Sequence, residues 1–146
     1  MKVLIIGAGI GGTTLALSLE MLGVDYEIIE QAAEFTEVGA GIQLSPNGVR
    51  ILAQLGLEPK FSQFCCEPDF HKYNVWDSGE TILTTPLMPK VRDDYGFAYY
   101  HAHRADLIDA LAASLDSTKL QMNKKVVSVE QDSNSASVVC EDGSRY

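Results

Sequence analysis

Residues 7–23 read Gly-Ala-Gly-Ile-Gly-Gly-Thr-Thr-Leu-Ala-Leu-Ser-Leu-Glu-Met-Leu-Gly and run straight out of the apolar stretch Val3-Leu4-Ile5-Ile6. Gly7, Gly9 and Gly12 form a GxGxxG turn, which alone is a weak signal. Here it continues in register: Ala16 lies four positions after Gly12, Gly23 seven further on, and Glu30 closes a second apolar run, Tyr26 to Ile29. Each small residue has a physical task. Gly7 permits the tight turn, Gly9 lets backbone approach a pyrophosphate, and Gly12 lets the helix lie close to the strand. Ala16 sits one turn further along the same helix face, where a larger side chain would push helix from sheet. The helix N-terminus offers free N–H groups and partial positive charge to a diphosphate. Glu30 is spaced to accept hydrogen bonds from ribose hydroxyls and to repel a 2′-phosphate. The strand–turn–helix context with a terminal carboxylate is the confirmation such a motif requires, against glycines that merely punctuate a loop. The stretch reads as a dinucleotide site.

A chain of 146 residues fits one domain with a usable core. A net charge of −9 argues against nucleic acid or an anionic membrane as a partner. Lys2 before an apolar N-terminus faintly imitates a signal peptide, but the glycines interrupt the apolar region and no Ala-x-Ala site follows. No stretch approaches the roughly 20 apolar residues of a membrane span. Cys65, Cys66 and Cys140 are odd in number and lack metal-ligand spacing, so reduced thiols and a cytoplasmic location are expected.

After the opening strand–helix–strand unit, Ala32 to Gly41 reads as a polar connection. Ser45-Pro46 opens a helix, with Ser45 as N-cap, Val49, Ile51, Leu52 and Leu55 as its apolar stripe, and Gly56 as its stop. Phe70–Trp76 and Thr81–Thr85 suit a hairpin around Asp77-Ser78-Gly79-Glu80. A helix is expected from about Arg104 to Leu115, with Leu107, Ile108, Leu111 and Leu115 on one face. Strands Lys125–Glu130 and Ser137–Cys140 follow, joined by the turn Asp132-Ser133-Asn134-Ser135. A simple dinucleotide fold would continue with a second mononucleotide half. This chain inserts a β-rich segment instead.

Three blocks resemble the single-component FAD-dependent aromatic hydroxylases of the salicylate and 3-hydroxybenzoate hydroxylase type. They are residues 7–23 with Glu30, the run Glu37 to Asn47 (EVGAGIQLSPN) leading to Leu55-Gly56-Leu57, and His103-Arg104-Ala105-Asp106-Leu107. The resemblance implies an α/β, Rossmann-like FAD-binding domain of the glutathione-reductase type across residues 1–146, with about 67–100 beginning a β-rich substrate-domain segment. It implies FAD as cofactor, with Gly7, Gly9, Gly11 and Gly12 at its pyrophosphate and Glu30 at the adenosine ribose. The backbone from Gly39 through Gly41 to Gln43 passes near the flavin, Arg104 reaches the ribityl–phosphate region, and the main chain of Val126 meets the adenine. It implies an oxidoreductase that hydroxylates a small aromatic, phenolic substrate with O2 and transient NADH or NADPH. Such hydroxylases continue well beyond this length, with an Asp-Gly motif and a later Gly-Asp block that this chain lacks. The chain is therefore expected to be the N-terminal part of one, weak in FAD binding and unable to hydroxylate alone. The resemblance leaves substrate identity, choice of reductant and oligomeric state open.

Arg104 also has a local argument. A cation at a helix N-terminus opposes the macrodipole at a cost of about 0.3–1 kcal/mol. Asp106, two positions on, faces elsewhere, so an external phosphate would resolve the conflict, with a distant carboxylate or solvent as the alternative.

Other groups suggest less. His101 and His103 share a face of an extended segment but lack a third metal ligand, so ordinary polar histidines are expected. Tyr95, Tyr99 and Tyr100 suit either an aromatic-substrate pocket or half-buried strands. Asp93-Asp94 suits a solvated turn, and capping accounts for Ser45. No catalytic side chain is assigned. An NAD-dependent dehydrogenase module and a binding fragment without cofactor remain as rival readings, the first disfavoured by the β-rich insertion and the 39–47 run.

Overall fold

The computed structural model describes residues 2–35 and 40–146. The chain divides into two compact units, Met1–Val38 with Leu107–Tyr146, and Gly39–Asp106.

The first unit holds the opening strand–helix–strand motif. β1 (Val3–Ile6), α1 (Ile10–Met21) and β2 (Tyr26–Ile29) occupy the spans their apolar runs predict. β1 pairs with β2 in parallel, Val3 opposite Tyr26 through Ile6 opposite Ile29, and β7 (Leu120–Gln121) extends the sheet on the far side of β2. β2 is therefore central, and Tyr26, Ile28 and Ile29 are fully buried. Ala16 lies at 0% exposure, in the core cluster of Ile5, Ala8, Tyr26 and Ile28, as a close helix–sheet approach demands.

α5 (Arg104–Ala112) begins where expected but stops three residues before Leu115. Its exit tightens: Ser114 N–H bonds Leu111 C=O and Leu115 N–H bonds Ala112 C=O, each one residue shorter than the α-helical step. Leu115 still packs on the first core cluster. β8 (Val126–Gln131) and β9 (Ala136–Cys140) form the expected antiparallel ribbon, with an irregularity between Val126 and Ser128. Its turn is built by Asp132, whose carboxylate accepts from the backbone N–H groups of Asn134 (2.7 Å) and Ser135 (2.8 Å).

The second unit is richer in structure than its sequence shows. The run at 37–47, for which the sequence suggested no regular element before Ser45, contains a strand, β3 (Gly41–Leu44), paired antiparallel with β6 (Tyr100–His103). Its four residues are too few for a periodicity to stand out, and only the pairing with β6 reveals them. α2 (Pro46–Gln54) buries Val49 and Leu52 as predicted. Ser45 does stand at its N-cap, but its hydroxyl bonds the Asn47 side-chain oxygen at 2.5 Å rather than a helix N–H, so the capping role is corrected. The hairpin is β4 (Phe70–Asn74) with β5 (Thr81–Pro86). Two short helices escape the sequence reading, α3 (Glu58–Phe61) and α4 (Lys90–Tyr95). Asp93 and Asp94 thus lie on a helix, not in a turn, and Asp94 pairs with Lys90 at 2.7 Å across one helical turn. Among the described residues the three cysteines are unpaired, and no helix is long and apolar enough to cross a membrane.

Candidate functional site

The β1–α1 turn is built around a clash that only glycine avoids. A Cβ on Gly12 would stand 1.9 Å from the Gly7 carbonyl oxygen and 3.4 Å from the Ile5 side chain. Helix and strand are held that close by this one missing carbon. Gly7 itself sits at φ +98°, a conformation that side chains disfavour, and its N–H bonds Ile29 C=O at 2.8 Å, tying the turn to β2. Gly9 and Gly11 differ in kind, because a Cβ on either meets nothing within 4 Å. Both positions face open space.

Gly9 occupies the N-cap of α1 with extended backbone and no side chain to cap the helix. The first helical bond runs from Thr13 N–H to Gly9 C=O, 2.9 Å. The amides of Ile10, Gly11 and Gly12 precede it and have no intrahelical acceptor. Buried Thr13 spends its hydroxyl on Gly9 C=O (2.9 Å) and Ile10 C=O (3.2 Å), bracing the first turn from within. The result is a rigid crown of outward amide dipoles, the arrangement that receives a phosphate.

Glu30 leaves the end of β2 and reaches this crown. One carboxylate oxygen accepts the Ala8 N–H at 2.7 Å and the other the Ala32 N–H at 2.8 Å. Each oxygen retains a further lone pair for a hydroxyl. The carboxylate thus locks turn and strand exit together while still offering acceptors. Ala8, Gly9, Glu30, Ala32, Glu34, Phe35 and Ile108 line a recess of about 90 Å³. That is well below the roughly 300 Å³ of a full small-molecule pocket. The chain leading to Val126 passes beside it: Asn123 N–H bonds Ala32 C=O (3.0 Å) and Lys124 N–H bonds Glu30 C=O (2.7 Å). Val126 itself packs against the cluster of Ile29, Val138 and Cys140.

Gly7, Gly9, Gly11, Gly12, Glu30 and the approach to Val126 are therefore brought together. Ala8 and Ala32 act through backbone N–H groups, and Phe35 and Ile108 through packing, so no residue-type signal marks them. The remaining predicted residues lie in the second unit. Gly41 and Gln43 are in β3 opposite His103 and His101, and the Gln43 side-chain oxygen accepts the Tyr99 hydroxyl at 2.8 Å. Gly39, with Glu37 and Val38, lies outside the described residues. Arg104 is the first residue of α5, its N–H on Ala40 C=O at 3.0 Å. It has an interaction partner within the chain, so the argument for an external anion from a missing internal partner is corrected.

Of the three tyrosines, Tyr95 and Tyr99 join Leu87, Val91 and Pro46 around a recess of about 400 Å³, while Tyr100 is buried and its hydroxyl oxygen accepts from the Arg92 guanidinium at 3.3 Å. Arg92 is itself held bidentately by Glu67 at 2.9 Å for both bonds. Burial pushes the Cys65 thiol up to about 11, so it stays a protonated, inert packing group.

A sequence profile described as the FAD binding domain matches residues 1–145. The chain belongs to that family. This FAD-binding domain is 33% identical to a 6-hydroxynicotinate 3-monooxygenase of Bordetella bronchiseptica over 98% of its length, and 35% identical to a 3-amino-4-hydroxybenzoate 2-monooxygenase of Streptomyces cremeus, again over 98%. It spans only 37% and 36% of those two proteins, about a third of each. Its fold superimposes on Klebsiella pneumoniae HpxO, solved with FAD and uric acid, with a TM-score of 0.88 at 30% identity, covering all of this chain and 36% of that one. The α/β FAD-binding fold and FAD as cofactor, both implied by the three sequence blocks, are borne out. The dehydrogenase reading is not supported by these relationships.

Proposed function

We propose that this FAD-binding domain serves a flavin-dependent monooxygenase that hydroxylates a small aromatic, phenolic compound using O2 and NADH or NADPH. The observation that carries the reading is the N-terminus of α1, uncapped by any side chain at Gly9, beside the anchored carboxylate of Glu30. Its fit to FAD is chemical as well as steric: amide donors face where a diphosphate would lie, and a carboxylate faces where a ribose diol would lie. In this reading Gly7 and Gly12 shape the turn, Gly9 and Gly11 give room for the pyrophosphate, and Glu30 accepts from the ribose. The main chain at Val126 borders the adenine, while Gly41, Gln43 and Arg104 serve the flavin end.

When bound, the flavin supplies the redox and oxygen chemistry, and the protein supplies orientation and exclusion of water. The names of the relatives support an aromatic substrate, and the tyrosine-lined recess supports it further, its volume falling within the range of small-molecule sites. The segment 67–100 would begin the substrate side, and the unpaired cysteines suit a cytoplasmic location.

Titration of FAD into the purified chain, read by flavin fluorescence, tests the site. Gly9→Val is expected to weaken binding by at least about tenfold, the equivalent of about 1.4 kcal/mol, with an unchanged circular dichroism spectrum. Equal FAD affinity in both proteins would remove the turn from the site.

A further inference from the structure

Tyr99 stands immediately before β6 and has two tasks in the second unit. Its ring lines the recess it shares with Tyr95, Leu87, Val91 and Pro46, and its hydroxyl donates to the Gln43 side-chain oxygen of β3 at 2.8 Å. Register explains the contact. Gln43 lies opposite His101 across the β3–β6 ribbon, and Tyr99, two positions before His101, shares that face.

The phenol is held on its other sides as well. Its ring packs edge-on against His71 of β4 at 5.2 Å and against His101 at 5.7 Å. Those two imidazoles are themselves hydrogen-bonded, Nε2 to Nε2 at 3.3 Å. From sequence the alternating pair His101 and His103 suggested itself. The fold instead joins His101 to a histidine 30 positions away. His101 is fixed in turn by Cys66, whose C=O accepts its N–H (2.7 Å) and whose N–H donates to its C=O (2.8 Å). Burial first, then the nearby Tyr73, raises the Tyr99 phenol above its ordinary value, so it stays an O–H donor.

A donor so placed decides which way the Gln43 carboxamide points. Such a group carries an acceptor at one end and two donors at the other. With its oxygen engaged by the phenol, the amide presents its N–H donors away from Tyr99. Donors suit a flavin, whose ring carbonyls and nitrogens accept hydrogen bonds, and such bonds are one way a protein tunes it. We infer that Tyr99 is a positioning residue: its hydroxyl orients the Gln43 carboxamide as a hydrogen-bond donor to the flavin ring, at the edge of the aromatic recess. The inference rests on the proposed place of Gln43 at the flavin end.

FAD and ADP-ribose, each titrated calorimetrically into the full chain and its variants, test it, because ADP-ribose keeps the adenosine and pyrophosphate but lacks the flavin. Tyr99→Phe removes only the hydroxyl. It is expected to weaken FAD binding by about 2- to 10-fold, the net worth of one hydrogen bond, and to shift the visible bands of bound FAD. ADP-ribose affinity should be unchanged. Gln43→Ala should show the same loss of FAD affinity, and the double variant no more than either single one. Equal weakening of both ligands in Tyr99→Phe would reduce the tyrosine to a structural part and overturn the inference. So would an FAD affinity untouched by Tyr99→Phe, losses that add in the double variant, or FAD bound no more tightly than ADP-ribose by the unaltered chain. Each of those results leaves the dinucleotide site standing. Gly9→Val is expected to weaken both ligands alike, and if it weakens neither, the site itself falls and the inference with it.

Discussion

The parallel sheet of the first unit and the hairpin of the second use similar residues to opposite ends. In β2 the apolar side chains Tyr26, Ile28 and Ile29 are all but inaccessible, packed under α1 and between two neighbouring strands. In β4 and β5 the same kinds of side chain stand in the open: Tyr73 is 55% exposed, Ile82 69% and Leu83 53%, and Trp76 at the turn is 93% exposed. Strand propensity is common to both. What differs is the second layer, which among the described residues covers the sheet of the first unit and leaves these hairpin side chains exposed. A strand becomes core only when something covers it.

Gly12→Ala attacks the covered side of that comparison most directly. The new methyl would overlap the Gly7 carbonyl, a backbone atom that cannot turn aside, so a loss on the order of 4 kcal/mol or more is expected. Urea denaturation of the variant should show a largely unfolded first unit. An ordinary unfolding midpoint would mean that helix and strand are not so tightly apposed.

Matched truncations sharpen the contrast. Ile28→Ala removes a fully buried side chain and is expected to cost about 2–5 kcal/mol. Ile82→Ala removes an exposed one and should stay within about 0.5 kcal/mol. Equal effects in the two would break the comparison, because the hairpin would then be covered in solution.

Glu30→Ala probes function at the edge of the covered sheet. Removing the acceptor of the Ala8 and Ala32 N–H groups, and of the proposed ribose contact, is expected to weaken FAD binding by about 1–3 kcal/mol, roughly 5- to 150-fold. Calorimetry with FAD measures it. No change in affinity would reduce Glu30 to a purely structural strap.

The smallest effect concerns the turn after β9. The hydrogen bond from Lys124, helped by Ser144, holds the Asp142 carboxyl well below the usual carboxylate range. A depressed carboxylate favours the folded state above its unfolded value of about 3.9, and that contribution fades as pH falls through the folded value. Thermal midpoints should therefore decline less between pH 5 and the acid limit in Asp142→Asn than in the unaltered chain. Parallel curves would show the pair to be screened by solvent.

Much of the first unit was legible because its signals are local. The apolar runs at 3–6 and 26–29, the glycine spacing between them and the carboxylate at 30 each constrain the next few residues only. The second unit was read less well for the converse reason. β3 and β6 are four residues each and find each other across more than 50 positions, and α4 is too short for periodicity to rise above chance. Ser45 shows the limit of a residue rule even where the position is right: the helix starts where expected, yet the hydroxyl chose a neighbouring side chain.

By itself, then, the order of residues determined the strand–turn–helix site, since the glycine spacing, with the position where a Cβ would collide, acts over a few residues along the chain. Tertiary structure alone decided what the chain's distant parts make together. It set Glu30 between two backbone N–H groups, drew the Asn123–Lys124 backbone to the site's edge, and brought His71 onto His101 instead of leaving His101 with His103. Those contacts depend on which strands pair and in which register. That is a property of the packed chain, to which no short window of sequence has access.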